Sequence, residues 1–414
     1  MAGDFDAVIV GAGPAGSSAA ILLARAGWSV ALIEKQRFPR RKVCGECVAA
    51  SNLPLLDALG VGAAFSAAAG AELRRVALMR GARSAVANLP PALRNAHPWG
   101  RALGRETLDT LLLEQARSAG AFVLQPWSVQ AVSGGAGRWQ VALRDVDSAR
   151  TQTLKSLLVI DAHGSWEALP SARPVRVKAR ARSDLFAFKA NFRGAALPQG
   201  VLPVLCFNGG YGGMVVADAE LTTLAACIRR DRLDAARAAS SGLRAGEVVE
   251  ALLRRECVGV RDALSGAVRE GSWLASGPLN PGVRVHANDA IFRIGNAAGE
   301  AHPIIGEGMS MALQSAWLLC AHLLRAGHAN AAIDPAWQRE IAERYATQWR
   351  QQFSPRLRLA AAFAHSAMRP MTGAPLIALA RLWPGLLTVG ARWGGKTRLD
   401  VDPQLLALMA AHAT

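Results

Sequence analysis

The sequence predicts an α/β protein with a parallel-sheet domain built from three separated stretches, an inserted antiparallel-sheet domain, and a helical C-terminal region. Three observations predict it. Apolar runs of strand length near the N-terminus alternate with helical periodicity, as a βαβ unit requires. Between residues 184 and 230 the pattern changes to four short strand-like runs joined by turns. Helical periodicity then returns at about residue 308 and holds through much of the tail. On this reading residues 1–72, 101–183 and 285–330 form the first domain, residues 73–100 and 184–284 form the second, and residues 331–414 are mostly helical.

The first element is a strand over 7–10, followed by the turn Gly11-Ala-Gly-Pro-Ala-Gly16, a helix over 15–26 and a strand over 29–33 that ends on Glu34. Gly11 permits the tight turn, Gly13 lets backbone approach a pyrophosphate, and Gly16 lets helix and strand pack closely. Phosphates then meet the free N–H groups of the helix start, where Pro14 and Ala15 stand. Glu34 follows Gly16 by 18 residues, the spacing of a ribose-binding carboxylate. The unit reads as a Rossmann-like dinucleotide site that could hold NAD as easily as FAD. Lys35 opens a basic, turn-rich loop that contains Lys42-Val-Cys-Gly-Glu46.

A short helix over 52–59 ends at Gly60, and strand-like runs follow over 73–79 and 84–89. Arg105 opens a helix over 105–119, with Leu108, Leu111, Leu112 and Ala116 at helical spacing. Strands are expected over 121–124, 139–143 and 154–160, the last ending on Asp161-Ala-His-Gly164. The antiparallel stretch comprises 186–192, 201–207, 212–217 and 221–228. It contains Gly209-Gly-Tyr-Gly-Gly213, whose glycines read as exposed backbone that a flat ring could approach, with Tyr211 in a substrate pocket. A helix over 246–257 and a strand over 290–294 lead to Gly295-Asn-Ala-Ala-Gly-Glu-Ala-His-Pro-Ile-Ile-Gly-Glu-Gly308 and a helix over 308–324.

Composition bounds the partners. Hydrophobic residues make up 51% and charged residues 19%, which places the chain among globular proteins. The 47 basic and 31 acidic side chains leave a net charge of +16. The basic residues are scattered, with short clusters at 37–42 and 173–182 and no nucleic-acid-binding signature, so no nucleic-acid partner is expected. The start, Met1-Ala-Gly-Asp-Phe-Asp, is acidic and carries no secretion signal, so a cytoplasmic location and reduced thiols are expected. Cys44-Gly-Glu-Cys47 has no second pair, so no metal site is expected. Arg369, Pro370, Pro375, Arg381 and Pro384 interrupt the apolar stretch 360–394, which speaks against a transmembrane helix and leaves a pocket cover or peripheral contact with a bilayer surface as alternatives to core helices.

The order of Gly11–Gly16, Arg105, Asp161–Gly164 and Gly295–Gly308 resembles the FAD-dependent enzymes built like p-hydroxybenzoate hydroxylase. Within them it is most similar to the geranylgeranyl reductase-type flavoproteins, with the flavin halogenases as relatives. The resemblance covers about residues 4–330, and its most specific parts are Lys42–Glu46, Gly209–Gly213 and Gly306–Gly308. It implies FAD, with NADH or NADPH as reductant. It implies that Arg105 reaches the pyrophosphate, and that Lys42 and Cys44 lie near ring and substrate. Asp161, Gly164, Gly295 and Asn296 would lie along the cofactor, with Asn296 replacing the family's usual acid. His302 and Pro303 would approach the ring edge, and Gly306, Gly308 and Met309 would place a helix start at the ring's polar edge. Tyr211, Cys44 and His302 are the candidate catalytic residues.

Three reactions compete within that resemblance. A monooxygenase would use reduced flavin and O2 to hydroxylate a bulky aromatic or lipophilic biosynthetic intermediate, free or carrier-tethered. An ene-reductase would reduce an isoprenoid or polyene double bond. A halogenase is disfavoured, because Trp99 and Trp166 stand alone where many halogenases have a paired-tryptophan stretch. The two residues between Asp161 and Gly164 pull toward the reductases, yet no prenyl-specific signal follows, and the sequence leans slightly to the monooxygenase. A non-catalytic flavin-binding partner protein is the alternative from another class.

Overall fold

The computed structural model describes residues 4–93, 96–165, 169–170, 181–218, 220–240, 242–327, 329–396 and 403–405. Trp166, most of the 173–182 basic cluster and most of the last 18 positions of the tail lie outside the described residues.

Two seven-stranded sheets organise the chain. In the first, strand Asp4–Val10 lies between Val30–Ile33 and Thr151–Asp161, all parallel, with Val10 in register with both Ile33 and Asp161. Phe122–Leu124 extends one side, and Phe292–Arg293 pairs with the end of Thr151–Asp161. Three strands therefore deliver Gly11, Glu34 and Asp161 to one sheet edge, their carboxyl ends, where α/β proteins bind ligands. Helices Pro14–Arg25 and Gly308–Arg325 pack on this sheet with Ile21, Leu22, Leu32, Trp317 and Leu319 fully buried. Burying each such side chain is worth roughly 1.5–3 kcal/mol.

Strands Arg75–Arg80 and Arg83–Asn88 join Leu185–Arg193, Val201–Phe207, Gly210–Ala217, Leu221–Arg229 and Val268–Ser276 in the second sheet. One face is covered by helices Arg230–Ala238, Ala245–Glu256 and Val258–Ala263 over Phe192, Phe207 and Leu253. The other face, with Leu78, Tyr211 and Cys227, meets Ile304 of the Pro303–Ile305 turn and Ala364, Ala367 and Met368 of the long helix Pro335–Met368. That helix buries Tyr345, Trp349 and Phe353 in the core of the first sheet and its far end against the second sheet. It bridges the two cores through its interior Pro355.

Two long strands escape the sequence reading, besides four two-residue ones. Trp127–Gly135 buries only Val132, and Val268–Ser276 is an edge strand with no fully buried side chain, so neither shows apolar alternation. The expected strand over 290–294 contracts to Phe292–Arg293 because its neighbours enter turns. The apolar stretch near the C-terminus divides at its prolines into Pro370–Leu382 and Gly385–Trp393, bent by 111°.

Candidate functional site

The glycine turn is shaped by its own backbone. A side chain at Gly16 would begin 1.8 Å from the Gly11 carbonyl oxygen, and one at Gly11 would begin 2.5 Å from the Ala162 carbonyl. Gly13 differs, since its nearest neighbour would be Arg105 Nη2 at 3.6 Å, across open space. Pro14 and Ala15 are buried at the helix start. Glu34, also buried, accepts from the Ala12 amide at 3.1 Å and the Gln36 amide at 2.9 Å. The acid and the phosphate-type loop are thus locked together, while Lys35 beside them is exposed.

Arg105 sits at the first turn of helix Arg105–Ser118 and donates two 2.7 Å hydrogen bonds to Asp109. Burial pulls its pKa down, but Asp109 outweighs this and holds the guanidinium charged. Arg40 Nη2 lies 3.4 Å from Asp109 and 3.7 Å from Glu34, while its Nε and Nη1 are buried without a hydrogen-bond partner. Lys42 completes the cluster, its Nζ 3.4 Å from where a side chain at Gly164 would begin. Three cations, one with two orphaned buried N–H groups, therefore converge between Gly13 and Gly164. Unsatisfied buried donors of this kind are costly unless an anion meets them. Asp161 pairs with His163 by a short contact at the adjacent strand end.

The Lys42 ammonium is pushed down to about 8 by burial and by repulsion from Arg105 and Arg40. Because the folded value lies below the ordinary 10.5, the unfolded chain binds more protons between these values, and apoprotein stability rises with pH across that window. A bound pyrophosphate favours the charged form. FAD affinity is therefore expected to be flat below about pH 8 and to weaken by up to about tenfold per pH unit above it. Fluorescence titrations of apoprotein with FAD across this range check the slope, and Lys42→Met should flatten it.

Cys44 is half-buried, accepts from the Glu46 amide at 3.3 Å and interacts with Arg105, which places it at the cationic cluster. Cys47 is a free thiol pushed up to about 12 by burial, so the CxxC pair has one inert member. Glu46 adopts a left-handed φ of 59° and is buried with Lys189 and Thr223 in close contact, while its carboxylate also accepts the Arg105 amide at 3.0 Å. This pair ties the Lys42–Glu46 loop to the second sheet. Neither Asp109 nor Lys189 was evident beforehand. Asp109 could have been found as the (i, i+4) partner of Arg105, whereas Lys189 carries no sequence signal.

Near the second sheet, the Tyr211 oxygen lies 3.2 Å from His302 Nδ1, and the two rings meet edge to face. His302 is buried, and its imidazole is pushed down to about 4 by burial and by His365, whose exposed ring lies 5.4 Å away centre to centre. Tyr211 is 1% exposed, and burial raises its pKa well above the phenol value. Its hydroxyl is held by His302 and Cys227. The expectation for its glycines is corrected. A side chain at Gly210 would strike the Phe207 ring at 2.2 Å, one at Gly212 the Ala225 carbonyl at 2.6 Å, and one at Gly209 the Arg232 side chain at 2.9 Å. These glycines admit neighbouring protein, the Phe207 ring included, rather than the ring of a ligand.

The third glycine segment closes the site. The Gly295 amide donates to Ser315 Oγ at 2.8 Å, and Asn296 Nδ2 donates to Ser165 Oγ at 2.7 Å. Asn296 thereby uses its amide donor on protein. Pro303 begins a turn that ends at Gly306 with φ 65°. Nothing lies within 4 Å of a side-chain position at Gly308, and Met309 is buried in the first core. Glu307 between them is fully buried, with Lys396 at 3.4 Å and Arg356 at 3.7 Å, and burial raises its carboxyl above the usual range despite both cations. Lys396 also donates to the Gly306 carbonyl at 3.3 Å. No local pattern marked Lys396 or Arg356, because their partners are distant in sequence.

These residues fit FAD. Open positions at Gly13 and Gly308 and the orphaned Arg40 donors lie where a dinucleotide would need backbone access and cations. Gly13, Arg40, Lys42 and Arg105 would hold the pyrophosphate and Glu34 the ribose. Gly295 and Asn296 would hold the linking chain, and Gly306–Gly308 the polar edge of the ring.

A family profile described as FAD binding domain matches residues 4–344. The menaquinone reductase of Mycolicibacterium smegmatis is 28% identical over 417 residues, covering 97% of this chain and 94% of that protein. A tryptophan 2-halogenase of Chondromyces crocatus is 24% identical, covering 83% of this chain and 66% of that protein. Among solved structures, the flavin-dependent brominase Bmp2 superposes with a TM-score of 0.74 at 17% identity, covering 98% of this chain and 97% of that one. A geranylgeranyl bacteriochlorophyll reductase-like protein from Thermoplasma acidophilum superposes with a TM-score of 0.73 at 15% identity, covering 99% and 96%. The glycine turn, the cationic cluster and the profile match agree: the chain belongs to the FAD-binding domain family and is an FAD-dependent oxidoreductase.

Proposed function

We propose that this protein reduces a carbon–carbon double bond in a lipophilic substrate with an isoprenoid or polyene chain, taking electrons from NADH or NADPH. The observation that carries the reading is the apolar wall at the ring end of the site. Ile304 and Ile305 pack there with Phe363, Leu376 and Leu387 of the C-terminal helices, immediately after His302 and Pro303. Similarity to a menaquinone reductase along nearly the whole chain supports a lipid-tailed substrate.

Bound FAD would supply two-electron redox chemistry, and the protein the surroundings. Reduction of a double bond also consumes protons. His302 is neutral above about pH 4, so it passes a proton rather than storing one, with Tyr211 fixing the ring and His365 exposed beyond it. Lys396 and the N-terminus of helix Gly308–Arg325 favour negative charge beside Gly306. Hydroxylation of the same lipophilic substrate is the second reading, favoured by the slight sequence lean toward oxygenation.

Anaerobic steady-state turnover tests the proposal. With NADPH or NADH and a polyprenyl quinone, the holoenzyme should consume reductant in proportion to a product that is still heavier by two hydrogens after any quinol has been reoxidised to the quinone. Turnover that starts only when air is admitted overturns it and supports hydroxylation.

A further inference from the structure

The outer face of the last two described helices is apolar where a surface helix should be polar. Pro370–Leu382 turns Gly373, Ile377 and Ala380 inward against the second sheet. Its opposite side carries Met371 at 88% exposure and Leu379 and Leu382, followed by Trp383 at 63%. Gly385–Trp393 buries no residue and exposes Leu386, Val389 and Trp393, the last at 74%. Contiguous exposed apolar surface of this kind marks an interaction site. Charge then selects the partner. No acidic residue occurs from 369 to 396, whereas Arg369, Arg381 and Arg392 are exposed among the apolar side chains.

We propose that this bent helix pair docks on the surface of an anionic phospholipid bilayer. Among the described residues no single helix is long and apolar enough to cross a membrane. Only the two helices taken together reach the length and apolarity of a span, and the 111° bend between them breaks that span and leaves two short amphipathic pieces suited to one surface. Leucine, methionine and valine enter the acyl boundary, Trp383 and Trp393 sit at headgroup depth, and the arginines meet lipid phosphates. The patch also adjoins the ring end of the FAD site. Leu376 and Leu387 share a cluster with Ile304 and Ile305, and a side chain at Gly394 would lie 3.9 Å from Ile305 Cδ1. A bilayer-dissolved substrate would therefore meet the site without crossing water. The proposal deepens the reading of a lipophilic substrate.

Vesicle co-sedimentation of the holoprotein, read without substrate, tests it. Wild type should sediment with vesicles of phosphatidylglycerol, and at least tenfold less with vesicles of phosphatidylcholine alone or at high salt. Leu382→Ser/Trp383→Ser and Arg381→Glu/Arg392→Glu should each weaken binding tenfold or more. These positions are exposed, so flavin content and thermal stability should match wild type. Protein that stays in the supernatant with anionic vesicles overturns the proposal. So does binding that both variants retain, or a wild-type dimer that becomes monomeric in Leu382→Ser/Trp383→Ser. Turnover of a detergent-dispersed quinone is scored separately, so that loss of vesicle binding with intact turnover rejects the surface and spares the reductase reading.

Discussion

Gly16→Val is expected to give a protein that retains no flavin and is destabilised by about 3 kcal/mol or more. A side chain there would begin 1.8 Å from the Gly11 oxygen, 3.0 Å from the Gly11 carbonyl carbon and 3.2 Å from Ala162 Cβ. All three neighbours belong to the turn or to the adjacent strand end, so none can swing aside as a flexible side chain would. Gly13→Ala separates folding from binding. Its added methyl would meet only Arg105 Nη2 at 3.6 Å, so the fold should survive while the methyl occupies the space a pyrophosphate needs. Thermal unfolding of the apoproteins and flavin-to-protein absorbance ratios check both. A Gly13→Ala protein that retains stoichiometric FAD would contradict the placement of the phosphates.

Arg105→Ala is expected to cost about 3–5 kcal/mol, because it strands the buried Asp109 carboxylate with only Arg40 Nη2, at 3.4 Å. It should also weaken FAD binding by roughly tenfold to a hundredfold, the worth of one charged hydrogen-bonded contact. The two effects are separable. In the double variant Arg105→Ala/Asp109→Leu the stranded charge is gone, so stability should largely return while FAD affinity stays low. If FAD affinity returns with stability, Arg105 only props up the helix start, and the phosphate contact has to be assigned to Arg40 and Lys42.

Much of the first domain was legible because its signals are local. Gly11 to Glu34 lie in one continuous βαβ stretch, and four strands of the second sheet are strand-length apolar runs separated by short turns. What escaped depends on pairing across distance. Lys189 meets Glu46, and Lys396 and Arg356 meet Glu307, through side chains more than a hundred or tens of residues apart, respectively, which no periodicity announces. Val268–Ser276 stayed hidden because an edge strand with no buried side chain carries no apolar alternation. The glycines around Tyr211 misled for the opposite reason. Glycine signals close approach without naming the approaching group, and here it is Phe207, Ala225 and Arg232. The exposed apolar face at the C-terminus was visible as composition, but only its burial pattern separates it from a core helix.

The proposed reaction is reduction of a double bond in a lipid-tailed substrate. A single turnover tests it most directly: holoenzyme reduced without air, mixed with one equivalent of a polyprenyl quinone, quenched, and the lipid weighed by mass spectrometry, with a parallel sample mixed under isotopically heavy O2. The oxidised flavin spectrum should return without air as the lipid gains two hydrogens that it keeps after any quinol is reoxidised to quinone, and no heavy oxygen should enter it. Flavin that remains reduced until O2 is admitted, with heavy oxygen then found in the lipid, would contradict it.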